Sequence, residues 1–364
     1  MRYIRQEIFG KIGKKDQNKL KNSTIAIVGL GALGSVSSEL LARAGIGRLI
    51  LIDRDVVELS NLQRQSLFDE SNIGKPKASA AKEKLNIINS GVKIDFFIDD
   101  LNYNNIYDLI PINNKSNNGN LINKKINRKK IKKYKINLIL DCTDNLETRF
   151  LVNDFSAKNK VPFIYSSAVG SKGYVFDIIP NKHNPCLRCF LEGSAQLDTC
   201  ETFGVLNSIT HLISSIQSNE AIKILLRKES NASEHRSLRT RSQLPEKNLL
   251  FFDVWKNELL KIKVNKKKNC ECCAGNNFEY LNGKKCSRII KMCGNGIFQI
   301  KTKSIGKKQF NELKNKLKKT GKVVDFGYCI NFDNKLTIFN DGRALIRAKD
   351  EKEAKSLYAK FVGN

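Results

Sequence analysis

The turn G-L-G-A-L-G at residues 29–34 constrains this chain more than any other stretch. It follows Ser23 to Val28, S-T-I-A-I-V, an apolar run suited to a buried parallel strand. Ser35 to Ala44, after the turn, has helical composition. Strand, glycine turn and helix in that order form a nucleotide-binding unit of an open α/β sheet. Gly29 permits the tight turn, Gly31 lets phosphate approach the backbone, and Gly34 allows close helix packing. The helix N-terminus, with Ala32 at its mouth, offers free N–H groups and a positive dipole end to an anion.

Arg48 to Ile52 is the next apolar strand, and Asp53 stands at its C-terminal end, where an acid takes ribose hydroxyls. By themselves these features fit an NAD-dependent oxidoreductase as well as an ATP enzyme. The following run, D-V-V-E-L-S-N-L-Q-R-Q from Asp55 to Gln65, is too polar and specific for a plain crossover. Lys77 follows in G-K-P-K, ahead of a helical run from Ala78 to Ile88. Hydride transfer needs no phosphate clamp. Attack on a phosphoryl group needs cations where negative charge develops, and Arg64 and Lys77 suit that task. The competing reading of each is a solvated surface cation. A third apolar strand, Ile136 to Leu140, ends in D-C-T-D-N. Strand ends of an open sheet face the ligand, so Asp144 is placed to hold magnesium against the phosphates. Capping of the next helix by Asp144 or Asn145 is the structural alternative.

Together, G-L-G-A-L-G, L-I-D-R-D-V-V-E-L-S-N-L-Q-R-Q, G-K-P-K and D-C-T-D-N resemble the MoeB/ThiF/HesA adenylyltransferases, relatives of the ubiquitin-activating enzymes. The similarity runs from about Tyr3 to Gly275. It implies ATP- and magnesium-dependent adenylation of the C-terminal glycine of a small ubiquitin-like sulfur-carrier protein, with release of pyrophosphate. It also implies a Rossmann-like homodimer. Carried over by motif, Asp53 binds the ribose; Ser60, Asn61, Arg64 and Lys77 line the phosphates; Asp55 and Asn145 belong to the nucleotide contacts; and Asp144 holds magnesium. Arg5, in R-Y-I-R-Q, matches an arginine that reaches the partner subunit's ATP. Ala32 stands where many relatives have glycine. No general base is required, because a carboxylate is already ionised at neutral pH. The three histidines all lie outside the motifs.

The chain has ten cysteines. Its first residues are charged and polar, and no apolar run approaches the length of a membrane span. A reducing, cytoplasmic setting without disulfides is therefore expected. Cys186-Leu187-Arg188-Cys189 and Cys270-Glu271-Cys272-Cys273 each offer a C-x-x-C pair, and two such pairs make a closed structural zinc site. The resemblance supports zinc at these places and leaves Cys272 a non-ligand, with a swap against Cys273 left open by the sequence. Cys200 lies in D-T-C-E-T-F-G-V, a polar loop before a helix. It reads as a nucleophile linking to the carrier or equally as a small buried residue. Cys142 reads as packed at a strand end, and Cys286, Cys293 and Cys329 as core.

The fold class is α/β: a Rossmann-like ATP-binding domain with a mostly parallel sheet and a structural zinc site, plus a small α+β C-terminal domain. The division is 1–275 and 276–364. Low-complexity basic insertions interrupt the first part at about 112–135 and 227–247. In the second part, Ile297 to Ile300 reads as a strand and Lys307 to Lys319 as a helix. Val323 to Phe332 and Lys335 to Ala348 read as two or three strands, with a turn at N-D-G 340–342, and Ala354 to Val362 as a closing helix. The formal net charge of +28 would attract any polyanion. Without stacking aromatics or a nucleic-acid motif, specific nucleic-acid binding is not expected; an acidic carrier would benefit from the same field. The sulfur donor is expected to be a separate protein. One rival reading is a tRNA threonylcarbamoyladenosine dehydratase-like enzyme, against which the double C-x-x-C speaks. The oxidoreductase leaves Arg64, Lys77 and Asp144 unexplained, and a non-catalytic scaffold would be expected to have lost a key charge.

Overall fold

The computed structural model describes residues 2–112, 135–192, 204–227, 248–285, 290–291, 296–301, 307–340 and 342–363. Apart from residues 112, 135 and 227, the two insertions lie outside these, as do Cys200, Cys286 and Cys293.

The strands β1 (Thr24–Val28), β2 (Arg48–Asp53), β3 (Lys93–Ile98), β4 (Leu138–Asp141), β5 (Phe163–Val169), β6 (Lys172–Ile178), β7 (Asn248–Asp253) and β8 (Glu258–Lys263) form an eight-stranded sheet. Their order is β3-β2-β1-β4-β5-β6-β7-β8. Pairing is parallel from β3 to β5 and antiparallel from β5 to β8. The central strand β1 is buried along its whole length, which explains its unbroken apolar run. Alternate residues serve two cores: Ile25, Ile27, Leu49 and Leu51 pack on one face, and Ala26, Val28, Ile50 and Ile52 on the other.

The helix after the turn spans Ala32–Ala44, three residues earlier than its composition indicated. Gly31 is its N-cap and makes no side-chain cap, so the first N–H groups stay open toward the strand ends. The helix packs on Asn207–Leu226, where the Ser37 hydroxyl donates to Gln217 Oε1 at 2.8 Å and Ser214 Oγ donates to the Leu33 carbonyl at 3.0 Å. Lys77–Ile88 forms the next helix, with Lys77 as its first residue.

A second sheet carries the C-terminal part: β9 (Ile290–Lys291), β10 (Ile297–Lys301), β11 (Val323–Asp325), β12 (Cys329–Phe332), β13 (Leu336–Phe339) and β14 (Arg343–Arg347). Its order is β11-β12-β13-β14-β10-β9, antiparallel throughout. Helices Lys307–Lys318 and Glu351–Phe361 accompany it. The region expected to hold two or three strands holds four. Gly327, at φ 80°, breaks the first run, and Asp333 and Asn334, at φ 50° and 54°, turn the second back on it. Gly342, at φ 87°, donates its N–H to the Phe339 carbonyl at 3.0 Å and supplies the turn expected there. No helix among the described residues is long and apolar enough to cross a membrane.

Candidate functional site

A cleft of about 990 Å³ opens at the C-terminal ends of β1, β2 and β4. Gly29, Gly31 and Ala32 line it, with Asp53, Asp55, Ser60, Asn61, Arg64, Lys77, Asp144 and Asn145. Residues from four separate stretches of sequence therefore meet in one place.

The three glycines differ in what a side chain would meet. At Gly29, with φ 86°, a Cβ would stand 2.7 Å from the Cys142 carbonyl oxygen. At Gly34 it would stand 1.9 Å from the Gly29 carbonyl oxygen. At Gly31 the nearest atom is Gln65 Nε2 at 3.8 Å, so the space beside this residue is open to the cleft.

Asp53 is almost fully buried, and its carboxylate braces the turn. It accepts from the Leu30 N–H at 2.6 Å and from the Asp55 N–H at 2.7 Å. Burial pushes its pKa up to about 6, against the opposing pull of Lys77. Lys77 is also buried and lies 3.2 Å from Asp55 Oδ2. Burial works against both charges. Lys77 and Arg54 outweigh it to lower the Asp55 pKa, while Asp55 and Asp53 outweigh it to raise that of Lys77. Asp55 thus acts first as the counter-ion of Lys77.

Arg64 is half-buried, and its Nη1 donates to the Ser60 carbonyl at 2.8 Å. The Asn61 side chain accepts from the Glu58 N–H at 3.3 Å and shapes the same turn. Asn145 is the N-cap of the helix Leu146–Asn159 and accepts from the Thr148 N–H at 3.1 Å. Capping therefore falls to Asn145, while the neighbouring Asp144 carboxylate is exposed at the cleft. Arg5 does not reach this cleft. It is exposed on the short helix Ile4–Ile8.

Further charged residues join the cleft unforeseen. Arg54 Nη1 donates to Asp100 Oδ1 at 2.9 Å. Burial opposes its charge, but Asp100, Asp55 and Asp144 prevail and raise its pKa. Arg149 is buried beneath D-C-T-D-N, with Nε 3.8 Å from Asp141 Oδ2 and its guanidinium 5.0 Å from the Tyr165 ring centre. The D-R-D sequence at 53–55 marked Arg54 by position. Arg149 had no comparable signal, because its partners come from β4 and β5.

Away from the cleft, the sulfurs of Cys186, Cys189, Cys270 and Cys273 all lie within 4.8 Å of one another. Measured separations are 4.0 Å for Cys186–Cys189, 3.6 Å for Cys186–Cys270 and 3.5 Å for Cys189–Cys273. Four sulfurs bound at about 2.3 Å around a tetrahedral ion would stand about 3.8 Å apart, so the donor set and spacing fit zinc. Cys272 is outside the cluster: its sulfur accepts from Asn153 Nδ2 at 3.2 Å. The open choice between Cys272 and Cys273 falls to Cys273. Cys142 and Cys329 are buried, as expected, and the Cys142 thiol lies 3.3 Å from Gln217 Oε1.

Comparisons with known proteins agree with this architecture. The chain is 34% identical over 375 residues to the sulfur carrier protein ThiS adenylyltransferase of Bacillus subtilis, covering 100% of this chain and 99% of that protein. It is 32% identical over 275 residues to the molybdopterin-synthase adenylyltransferase of Escherichia coli, covering 75% and 96%. Among solved structures, E. coli MccB with ATP matches at a TM-score of 0.57 and 19% identity, covering 75% of this chain and 74% of that one, a likeness of fold. The profile of the ThiF family matches residues 3–274, which takes in every element of the cleft and both cysteine pairs, and the chain belongs to that family.

Proposed function

We propose that this protein adenylates the C-terminal carboxylate of a ubiquitin-like sulfur-carrier protein of the ThiS or MoaD type, using ATP and releasing pyrophosphate. The observation that carries this reading is the similarity to the ThiS adenylyltransferase of B. subtilis along the whole chain, joined to a cleft where phosphate-binding features converge. The carrier's carboxylate oxygen would attack the α-phosphorus, and the bond from that phosphorus to pyrophosphate would break. Both reactants are anions, so the site must offset their repulsion. Gly31 leaves room for the phosphates against the helix N-terminus, and Arg64 and Lys77 supply positive charge. Asp53 would accept from the ribose hydroxyls, with Ser60 and Asn61 beside the phosphates. Asp144 is the carboxylate free to hold magnesium, which when bound would neutralise charge on the phosphate oxygens.

Residues 1–275 would form the adenylyltransferase unit and 276–364 a second unit, with zinc held by Cys186, Cys189, Cys270 and Cys273. Arg5, exposed and remote from its own cleft, fits a role across a homodimer. The sulfur donor would be a separate protein, and Cys200 is a candidate for a covalent link to the carrier. Carrier-dependent exchange of labelled pyrophosphate into ATP, run in parallel with ThiS-type and MoaD-type carriers, tests the reading. Arg64→Ala and Asp144→Ala should each lower exchange at least a hundredfold with the fold intact. Full exchange in either variant refutes its assigned role, and no exchange with either carrier refutes the reaction.

A further inference from the structure

One wall of the cleft is built from the chain after β2 and the chain after β3, and both stretches rest on the C-terminal sheet. Arg54, Asp55 and Glu58, following Asp53 at the end of β2, come from the first, and Asp99, Asp100 and Leu101 from the second. Arg343 opens β14 and is fully buried. Its Nη1 donates to the Arg54 carbonyl at 2.6 Å, and its Nη2 donates to the Ile98 carbonyl at 3.2 Å. One guanidinium therefore ties together the ends of two parallel strands, on the β2 side at the peptide that joins Arg54 to Asp55. Its Cζ lies 4.0 Å from the ring centre of Phe339, which packs against the cation.

A second tie lies beside the first. Gln299, buried on β10, donates from Nε2 to Asp100 Oδ2 at 3.1 Å. The other oxygen of Asp100 accepts from Arg54 Nη1, so Gln299 sets the carboxylate that sets a cleft-lining cation. Apolar packing seals the join. Val56 lies in one cluster with Cys329, Phe339 and Leu345, and Phe326 packs beside Gly74. A side chain at Gly74, with φ 84°, would meet the Phe326 ring at 2.6 Å. A buried arginine that touched nothing functional would be a costly way to fasten an appendage, since apolar contact alone would serve.

We propose that Arg343, with Gln299, is a positioning residue for nucleotide binding: it holds the Asp53–Asp55 wall in the geometry that receives the nucleotide, which makes the C-terminal sheet a working part of the ATP site. This inference rests on the cleft being an ATP site. Arg343 acts through the backbone it grips. The planar fork matters because it sets two separate nitrogens at fixed positions, one on each carbonyl, whereas a lysine has a single nitrogen to share between them.

Isothermal titration of the full-length protein with ATP and magnesium, alongside its melting temperature, tests this. If the wild-type chain does not bind ATP, the ATP reading itself fails. Given wild-type binding, Arg343→Met keeps the packing on Phe339 but loses both donations, and Gln299→Met loses its single one. The folded variants should bind ATP about tenfold and about threefold more weakly, respectively. Arg343→Lys should recover part of the loss. A merely structural role would lower the melting temperature and leave the ATP Kd of folded protein unchanged. That result in either variant overturns the proposal, as does an Arg343→Lys variant no better than Arg343→Met. Should Arg343→Met fail to fold, the near-isosteric Gln299→Met decides by the same criterion.

Discussion

Asp53 has two calls on its carboxylate. Its oxygens already accept from Leu30 and Asp55, and the proposed ribose contact adds a third donor to the same group. Protonation takes one of the carboxylate's roughly four acceptor sites and weakens the rest, so the ribose contact favours the ionised form. Burial raises its pKa from 3.8 to about 6. A carboxyl that holds its proton more tightly when folded makes a stability contribution that falls as pH rises from about 4 to about 6 and is level above that. Replacing it should therefore flatten the stability curve in that window. We expect Asp53→Asn to show a smaller change in urea midpoint between pH 4 and pH 6 than the wild type, with ATP binding weakened at pH 7.5. An unchanged slope would remove Asp53 as the titrating group. At this scale, sequence reading brought Asp53, Lys77 and Asp144 to the cleft they line, because their places follow from position on strand–turn–helix units. It missed Arg54, whose partner Asp100 comes from the end of another strand, and Arg149, whose partners lie on β4 and β5 rather than on its own helix.

Among the elements, the glycine turn is the one with the sharpest consequences. Gly34 and Gly31 sit three residues apart, yet their surroundings differ. A methyl group at 34 would collide with the Gly29 carbonyl, a backbone atom that cannot swing aside. A methyl group at 31 meets only the distant amide of Gln65 and otherwise faces the cleft. Gly34→Ala should therefore cost about 2 kcal/mol or more of folding stability, measured by urea denaturation. Gly31→Ala should leave the urea midpoint nearly unchanged and weaken ATP binding. The reverse pattern would mean that the turn is assigned in the wrong register. Three strands of the first sheet, β1, β2 and β4, were readable from apolar runs because parallel strands are buried on both faces; the other five were not read. The second sheet was harder, because its short antiparallel strands are punctuated by left-handed residues such as Asp333, which carry weaker signals than glycine.

On the scale of the whole molecule, one observed join and one proposed join link distant parts. The cysteine cluster brings Cys186 within 3.6 Å of Cys270, 84 residues on. Metal binding there would be folding energy for the surrounding segment, and its removal should be felt as lost stability. Cys186→Ser should lose bound zinc, read by atomic emission, and melt several degrees lower, whereas Cys272→Ser should keep its zinc. Zinc retained in the first variant would sink the four-cysteine assignment. The other join, between the subunits of a homodimer, is the proposed one. If Arg5 completes the partner's cleft, mixing and reassociating Arg5→Ala with Arg64→Ala leaves one intact site in each mixed dimer. Pyrophosphate exchange should then return to about a quarter of the wild-type rate. No recovery after verified exchange of subunits would rule out a role for Arg5 in the partner's cleft.

The sequence by itself determined the nucleotide unit and the cysteine pairs, because both depend on short-range spacing: glycines at fixed offsets in a turn, and thiols three residues apart. It also carried the family resemblance in the same motifs. Tertiary structure alone decided which of two adjacent cysteines joins the cluster, that Asn145 caps a helix while Asp144 faces the cleft, and that Arg343 grips the chain beside Asp53. Those outcomes depend on the direction of a side chain and on contacts between residues up to 289 positions apart, and neither is written in local spacing.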